Sequence, residues 1–302
     1  MSQLGADLQV QPATDDDRAI ALGLVFAHLP TEERERRVAL ALGGFDATDR
    51  IVWTAYRGEK LAAAALVDVL PGKTAIIWPP RPFGEQTRET IRELLVQIVE
   101  RLSRQGVRLV QVFLPNDRRA EERIFIEAGF RCAATLSYLV SLRGTFPTVR
   151  SDDGVEFLPY STALDERLAR VIEQTYAGSL DCPSLDRVRA IEDVLQGYRA
   201  TGVFDPARWL IVRQSGNDVG CLLLADDPDS NQWELTYMGV IPEARGRGMG
   251  RAIVRHAQWL AAQAGRERLV LAVDANNEPA IGVYAAANFV QWDERRLFLR
   301  VL

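Results

Sequence analysis

The chain has 302 residues, 47% of them hydrophobic and 25% charged, with a formal net charge of −5, three cysteines and two histidines. That length accommodates two ordinary domains, and the composition is that of a soluble globular protein. No apolar run approaches the ~18 residues of a membrane span, and "MSQLGADLQVQPATDDD" lacks the basic-then-apolar order of a secretory signal. Cys132, Cys182 and Cys221 are odd in number and far apart, so they fit neither a disulfide framework nor a metal spacing. His28 and His256 alone give zinc chemistry or a Ser-His-Asp triad little material. The expectation is a cytoplasmic protein with reduced cysteines and no metal.

Charge is distributed unevenly. Up to Arg150 there are 20 basic and 19 acidic residues, and beyond it 16 basic and 22 acidic. Four of those 16 basic residues fall within Arg245–Arg255. A focused positive spot in an acidic half suits one small anionic ligand. Nucleic acid asks for a stripe of charge that tracks many phosphates.

In chain order, the elements occur twice. Each half reads as strand, two helices, three strands, helix, strand, helix and two strands. "IVWTAYRGEKLAAAALV" around Gly58 predicts a hairpin, as does "RWLIVRQSGNDVGCLLLA" around Gly216. "ETIRELLVQIVERLSRQGVRLVQVFL" predicts a long helix ended by Gly106, then a strand. "GRAIVRHAQWLAAQAGRERLVLAV" repeats this with Gly265, its helix presenting Ile253, Ala257, Leu260, Ala261 and Ala264 on one face. "LVLAV" is continuously apolar, which predicts a central strand covered on both faces. "IFIEAGF" and "VYAAANF" close the two halves, Asn288 taking the positive φ of a helix end and Phe289 its hydrophobic contact. Apolar strands, "LSYLVSL" and "RRLFLRVL", follow. A period of about 150 to 160 residues is that of a duplicated domain. "RGTFPTVRSDDG", with Pro147 and Gly154, reads as the linker, giving domains 1–147 and 148–302. The fold class is mixed α/β: in each domain a twisted, mostly antiparallel sheet flanked by helices.

Arg245-Gly246-Arg247-Gly248-Met249-Gly250 lies between a strand ending at Val240-Ile241 and a helix starting near Gly250. The first amides of a helix have no internal partner and carry partial positive charge. Glycines let ligand oxygens approach the backbone, and arginines add formal charge. Together these form a pyrophosphate cradle. The P-loop is excluded because no lysine is present, and the dinucleotide fingerprint because the spacing is Gly-x-Gly-x-Gly, late in the domain.

Arg245-x-x-Gly248-x-Gly250, preceded by "YMGVIPEA", resembles the acetyl-CoA motif of the GNAT N-acetyltransferases. A second feature of that family follows: Asn277-x-x-Ala280-x-x-x-Tyr284, then Asn288-Phe289, with Asn288 in place of the family's usual glycine. The resemblance covers the second half and implies two tandem GNAT-like domains, similar in architecture to mycothiol synthase-like proteins. It implies acetyl-CoA as cosubstrate, held by Met238, Gly239, Val240, Arg245, Gly246, Arg247, Gly248, Met249, Gly250, Arg251 and Asn277. It also implies a bulge in "WELTYMGV", splaying of "LVLAV", and a pantetheine arm paired to the exposed edge like an added strand. Gly239 suits such a distortion. The first half carries "PPRPFGEQTRE" where the cradle stands and Ile124 or Phe125 where the tyrosine stands. It reads as a degenerate copy.

Acyl transfer from a thioester to an amine needs a base, because an alkyl amine of pKa roughly 10 is mostly protonated at pH 7. Alternation places Glu234, Thr236, Met238 and Val240 on one face of their strand, and family members that use a glutamate base carry it at the position of Glu234. A backbone N–H near Gly239 or Val240 would meet the oxyanion. Tyr284 would protonate the departing thiolate. His256 reads as a packing or surface residue. Asp181 and Asp186 have the charge to meet a cationic amine, but acidic turn and cap residues are common in such a segment, and that reading is preferred.

The expected function is transfer of the acetyl group of acetyl-CoA to a primary amine of a small molecule or peptide by direct attack. A non-catalytic acyl-CoA sensor is the alternative, and an arginine-glycine RNA-binding module a third reading, disfavoured by the acidic balance. The expected partners are the amine substrate, with no nucleic acid and no membrane. The chain is expected to be a monomer whose tandem halves mimic a dimer.

Overall fold

The computed structural model describes residues 8–27, 29–43, 50–82, 88–150, 154–186 and 188–302. His28, part of "PPRPFGEQTRE" and part of the linker lie outside the described residues. The chain folds as two compact units of mixed α/β structure. One holds residues up to Ala133 with Arg296–Leu302, and the other holds Ala134–Arg295.

The first unit contains β1 (Leu8–Pro12), α1 (Asp15–Val25), α2 (Thr31–Gly43), β2 (Arg50–Arg57), β3 (Lys60–Leu70), β4 (Thr74–Ile77), β5 (Arg81–Pro82), α3 (Arg88–Arg104), β6 (Leu109–Pro115) and α4 (Glu122–Glu127). Its sheet runs β1-β2-β3-β4-β6, all antiparallel except β4 with β6. Leu94, Leu95, Ile98 and Leu102 of α3 recur at helical spacing, are fully buried and cover one face. Ala21, Leu22 and Val25 of α1 cover the other. Ile124 and Phe125 are both core residues, and Phe125 packs on Phe298 at 5.5 Å between ring centroids.

In chain order there follow β7 (Arg131–Leu142), β8 (Val155–Pro159), α5 (Asp165–Tyr176), α6 (Ile191–Arg199), β9 (Trp209–Gln214), β10 (Asn217–Asp227), β11 (Gln232–Val240), α7 (Met249–Gln263), β12 (Arg268–Asp274), α8 (Glu278–Ala286) and β13 (Val290–Val301). The unit boundaries fall inside β7 and β13. The two strands expected to close the second half are one continuous β13, because "VQWDERRLFLRV" contains no glycine or proline to turn it.

The second unit's sheet runs β7-β12-β11-β10-β9-β8, antiparallel except for β11 with β12. α7 and α8 pack on one face. Ile253, Val254, Ala257 and Ala261 are fully buried there with Leu269, Leu271 and Val273. The helix face stops short of Ala264, which is exposed. α5 and α6 cover the β9–β10 end of the other face through Leu168, Ile172 and Leu195. β12 is not covered on both faces as its apolar run suggests: Val270 is half-buried and Ala272 exposed. Asn288 takes φ +60, and Phe289 donates its N–H to the Tyr284 carbonyl at 3.0 Å, the helix end expected from "AAANF".

Candidate active site

Parallel strands pair only while they stay adjacent. β11 and β12 pair over Gln232–Glu234 with Arg268–Val270 and then part, although both strands continue. Their separation opens a cleft of about 510 Å³ lined by Leu235–Val240, Ala272 and Val273, with the α7 and α8 N-terminal segments at its side. Among the described residues, the β12-facing backbone of Leu235–Val240 has no strand partner.

A bulge accompanies the parting. Leu223 pairs with Tyr237, Leu224 with Leu235, and Thr236 is the extra residue. It stands three residues before Gly239, where the distortion was expected. Gly239 has another reason to be glycine: a Cβ there would come within 2.5 Å of Thr175 Oγ1 on α5. The bulge also resets the alternation. Trp233, Leu235, Met238 and Val240 share the α7 side, whereas Tyr237 packs toward α5 and α6. Glu234 therefore does not share a face with Met238 and Val240, contrary to strict alternation. It is half-buried at the closed end of the split, and burial first, then the Asp227 carboxylate, raise its pKa above the ordinary carboxylate value.

The cradle forms at the other end. Gly246 and Gly248 sit at φ +74 and +82, the latter as N-cap of α7. That conformation is cheap only for glycine. Ala252 donates its N–H to the Gly248 C=O at 3.1 Å, and the amides at the start of a helix, before its first such bond, have no helical partner. Gly250 abuts Val283 and Met238 at ordinary contact distance. Arg251 lines the cleft, whereas Arg247 lines a neighbouring hollow.

Arg245 differs from expectation. Its guanidinium donates to four backbone carbonyls: Val240 at 3.0 Å, Ala177 at 2.8 Å, Gly178 at 3.1 Å and Thr175 at 2.8 Å. The side chain therefore ties the loop to the end of β11 and caps α5, while its guanidinium, paired with no carboxylate among the described residues, still lines the cleft. Asn277 is the N-cap of α8, accepting the Ala280 N–H at 3.3 Å, and lines the cleft.

Tyr284 lines the cleft from α8, 6% exposed, packed on Phe289 at 5.6 Å between centroids. No hydrogen bond engages its hydroxyl among the described residues. Burial, with the Asp181 carboxylate second, pushes its pKa up, so it is a phenol at neutral pH.

Asp181 lines the same cleft and accepts the Asp274 N–H at 2.9 Å, and packing against its carboxyl raises its pKa. Asp186 lines a different hollow, with Glu173, Tyr176 and Arg189. Thr236 Oγ1 is buried without a hydrogen-bond partner beside the closed end. The placement of Asp181 and Thr236 at the cleft depends on the long-range approach of the segment after α5 and on the bulge, and no local spacing signals it. His256 is a packing residue: it stacks on Phe157 at 3.6 Å, and burial lowers its pKa to about 4. Among the described residues no cluster of three or more potential metal ligands occurs, and no helix is long and apolar enough to cross a membrane.

Residues 175–289 match the acetyltransferase (GNAT) family model. The chain is 29% identical over 164 residues to a mycothiol acetyltransferase of Paenarthrobacter aurescens, an alignment covering 51% of this chain and 48% of that protein. It is 36% identical over 154 residues to the mycothiol acetyltransferase of Clavibacter sepedonicus, covering 50% of each. The chain thus spans about half the length of these curated relatives. A GCN5-related N-acetyltransferase from Sphaerobacter thermophilus has the same fold, with a TM-score of 0.65 and 18% identity over 97% of this chain and 95% of that one. A tandem GNAT protein from the clavulanic acid biosynthesis pathway has a TM-score of 0.54 and 13% identity over 98% of both chains. Residues 175–289, which hold the split strands and the glycine-rich loop, thus match the GNAT acetyltransferase family, and this half of the chain is similar to the mycothiol acetyltransferases.

Proposed function

We propose that residues 148–302 transfer the acetyl group of acetyl-CoA to a primary amine of a small molecule or peptide by direct attack, and that the first half is a copy without this chemistry. The observation that carries the reading is the cleft itself: a glycine-rich helix N-terminus at one end, a strand edge free to pair with an amide-bearing arm along its length, and Tyr284 beside it. The cradle fits a diphosphate, since Gly246 and Gly248 present backbone without a Cβ.

Two groups would move protons. Glu234, at the closed end of the split, is suited to take a proton from the attacking amine, directly or through water, because its raised pKa brings it nearer the amine's. Tyr284, held as a neutral phenol, is suited to protonate the departing thiolate. A free N–H on the Leu235–Val240 edge would meet the developing oxyanion. Direct attack is supported over a covalent relay. Cys182 and Cys221 are both buried with thiols whose pKa burial raises, so neither is a ready thiolate.

The test is thiol release from acetyl-CoA against a panel of amino acids, aminosugars, polyamines, aminoglycosides and peptides. Release that depends on one amine class supports the proposal. Tight acetyl-CoA binding with no release from any amine would point to the sensor reading.

A further inference from the structure

Asp274, the last residue of β12, is 2% exposed, and among the described residues no cation pairs with its carboxyl group. A buried carboxyl is costly unless its oxygens are hydrogen-bonded. Both are, each by a different segment. Oδ1 accepts the Asn276 N–H at 2.9 Å, and Oδ2 accepts the Cys182 N–H at 3.2 Å. The backbone of Asp274 divides in the same way. Its C=O accepts the Asn277 N–H at 2.9 Å, and its N–H donates to Asp181 Oδ1 at 2.9 Å. One residue thus makes two bonds to the turn that starts α8 and two to the segment that follows α5.

Neither segment belongs to a helix or strand at these residues. Cys182 lies in the left-handed region at φ +46, where a residue other than glycine persists only when its surroundings fix it. The same segment begins at Gly178, φ +63, whose C=O is held by Arg245 at 3.1 Å. Between these two anchors Ser179, Leu180 and Asp181 line the cleft. On the other side, Asn277 caps α8 through the Ala280 N–H. Tyr284 stands seven residues later, two turns along the same helix face, and both residues line the cleft.

We propose that Asp274 is a positioning residue for acetyl transfer: by bonding both segments it fixes Tyr284 and the Ser179–Asp181 wall of the cleft relative to each other. The proposal rests on the acetyl-CoA reading and on Tyr284 as the acid. Asparagine has the same shape but cannot take this place. Its amide has one acceptor oxygen, and its NH2 group would meet an N–H donor.

The experiment measures steady-state kinetics and calorimetric acetyl-CoA binding for the full chain as parent, Asp274→Asn, Tyr284→Phe and the double variant, each with the amine that the parent uses. Asp274→Asn should lower kcat about 10- to 100-fold, the order of loss from a small misplacement of a reacting group. Its affinity for acetyl-CoA should stay near the parent's, because the glycine cradle is untouched. In the Tyr284→Phe background the same substitution should lower kcat little further, since the group it positions is already gone. Asp274→Glu keeps both acceptor oxygens but moves them by a methylene. It should show the same loss of kcat with retained affinity, and it carries the test if the Asn variant does not fold. Parental kcat in either folded variant overturns the proposal, as do losses that multiply in the double variant. Failure of both variants to fold overturns it in favour of a purely structural role. Parental kcat in Tyr284→Phe removes the acid, and the positioning role with it. A parent that releases no thiol with any amine is a separate failure, that of the acetyl-transfer reading itself, and this proposal falls with that reading.

Discussion

Glu234 and Val270 are the last residues at which β11 and β12 pair, so Glu234 marks the closed end of the split from which the cleft opens. Glu234 itself is not among the residues that line the cleft, so its proposed role as base is the one most in need of a direct test. Glu234→Gln should slow turnover and preserve acetyl-CoA binding, with partial recovery at high pH, where more of the amine is already neutral. The parent's kcat/KM should fall as pH drops through an apparent pKa above the ordinary carboxylate value of ~4.3. Stability gives an independent readout. A carboxyl whose folded pKa is raised stabilises the fold only while protonated, and that contribution is lost as pH rises through the folded value. The Gln variant should therefore melt at or above the parent's temperature at pH 7. Parental rates at neutral pH would remove Glu234 from the mechanism.

Tyr284→Phe removes a hydroxyl and keeps the ring that packs on Phe289. Turnover should fall by roughly 10²–10⁴-fold with little change in melting temperature or coenzyme affinity. A merely structural aromatic would leave the rate untouched.

Gly248→Val tests the cradle. The parent should gain thermal stability with acetyl-CoA in proportion to RT ln(1 + [L]/Kd), and the variant should lose that gain. A β-branched residue at φ +82 also costs about 1–2 kcal/mol without ligand, a drop of roughly 2–8 °C. The ligand-induced shift must therefore be compared with each protein's own baseline. An undiminished shift would mean that the diphosphate binds elsewhere.

Arg245→Lys separates charge from geometry. Lysine keeps the charge but cannot reach four carbonyls with a planar fork. Chemical denaturation should show a loss of roughly 1–3 kcal/mol, with weaker acetyl-CoA binding because the loop is no longer tied to Val240, Thr175, Ala177 and Gly178. Unchanged stability together with unchanged binding would show that the carbonyl contacts contribute nothing.

His256 predicts an acid-sensitive fold. Its folded pKa of about 4 lies below the ordinary ~6.5. Unfolded chains take up the proton first as pH falls, so stability is lost as pH drops from about 6.5 toward 4. His256→Gln should start less stable, having lost the stacking on Phe157 and Trp259, and should decline less steeply over that range. Parallel pH profiles for the two proteins would contradict this.

Local signals were legible in the sequence because local physics sets them. The glycine cradle, the Asn288 turn and the burial of Ile253, Ala257 and Ala261 depend on neighbours a few residues away. The face of Glu234 was not legible. It depends on an extra residue, Thr236, that is extra only relative to its partner β10. Arg245 reads as a cation for phosphate because the carbonyls it binds include three from a helix end some 70 residues earlier. The openness of β12 at Ala272 likewise follows from where α5 and α6 stop, which no periodicity within "LVLAV" encodes.

The repeat divides the sequence at residue 147, yet β12 pairs along its other edge with Leu136–Leu142, which lie before that point. A chain begun at residue 148 would leave Arg268–Asp274 with a bare row of amides and carbonyls beside the very strand whose parting makes the cleft. Such an edge recruits other chains. The first 147 residues expressed alone would in turn lack Phe298, the ring on which Phe125 rests. Recombinant expression of either sequence half alone is expected to yield aggregate, and a viable cut would have to carry residues 134–147 with the second half.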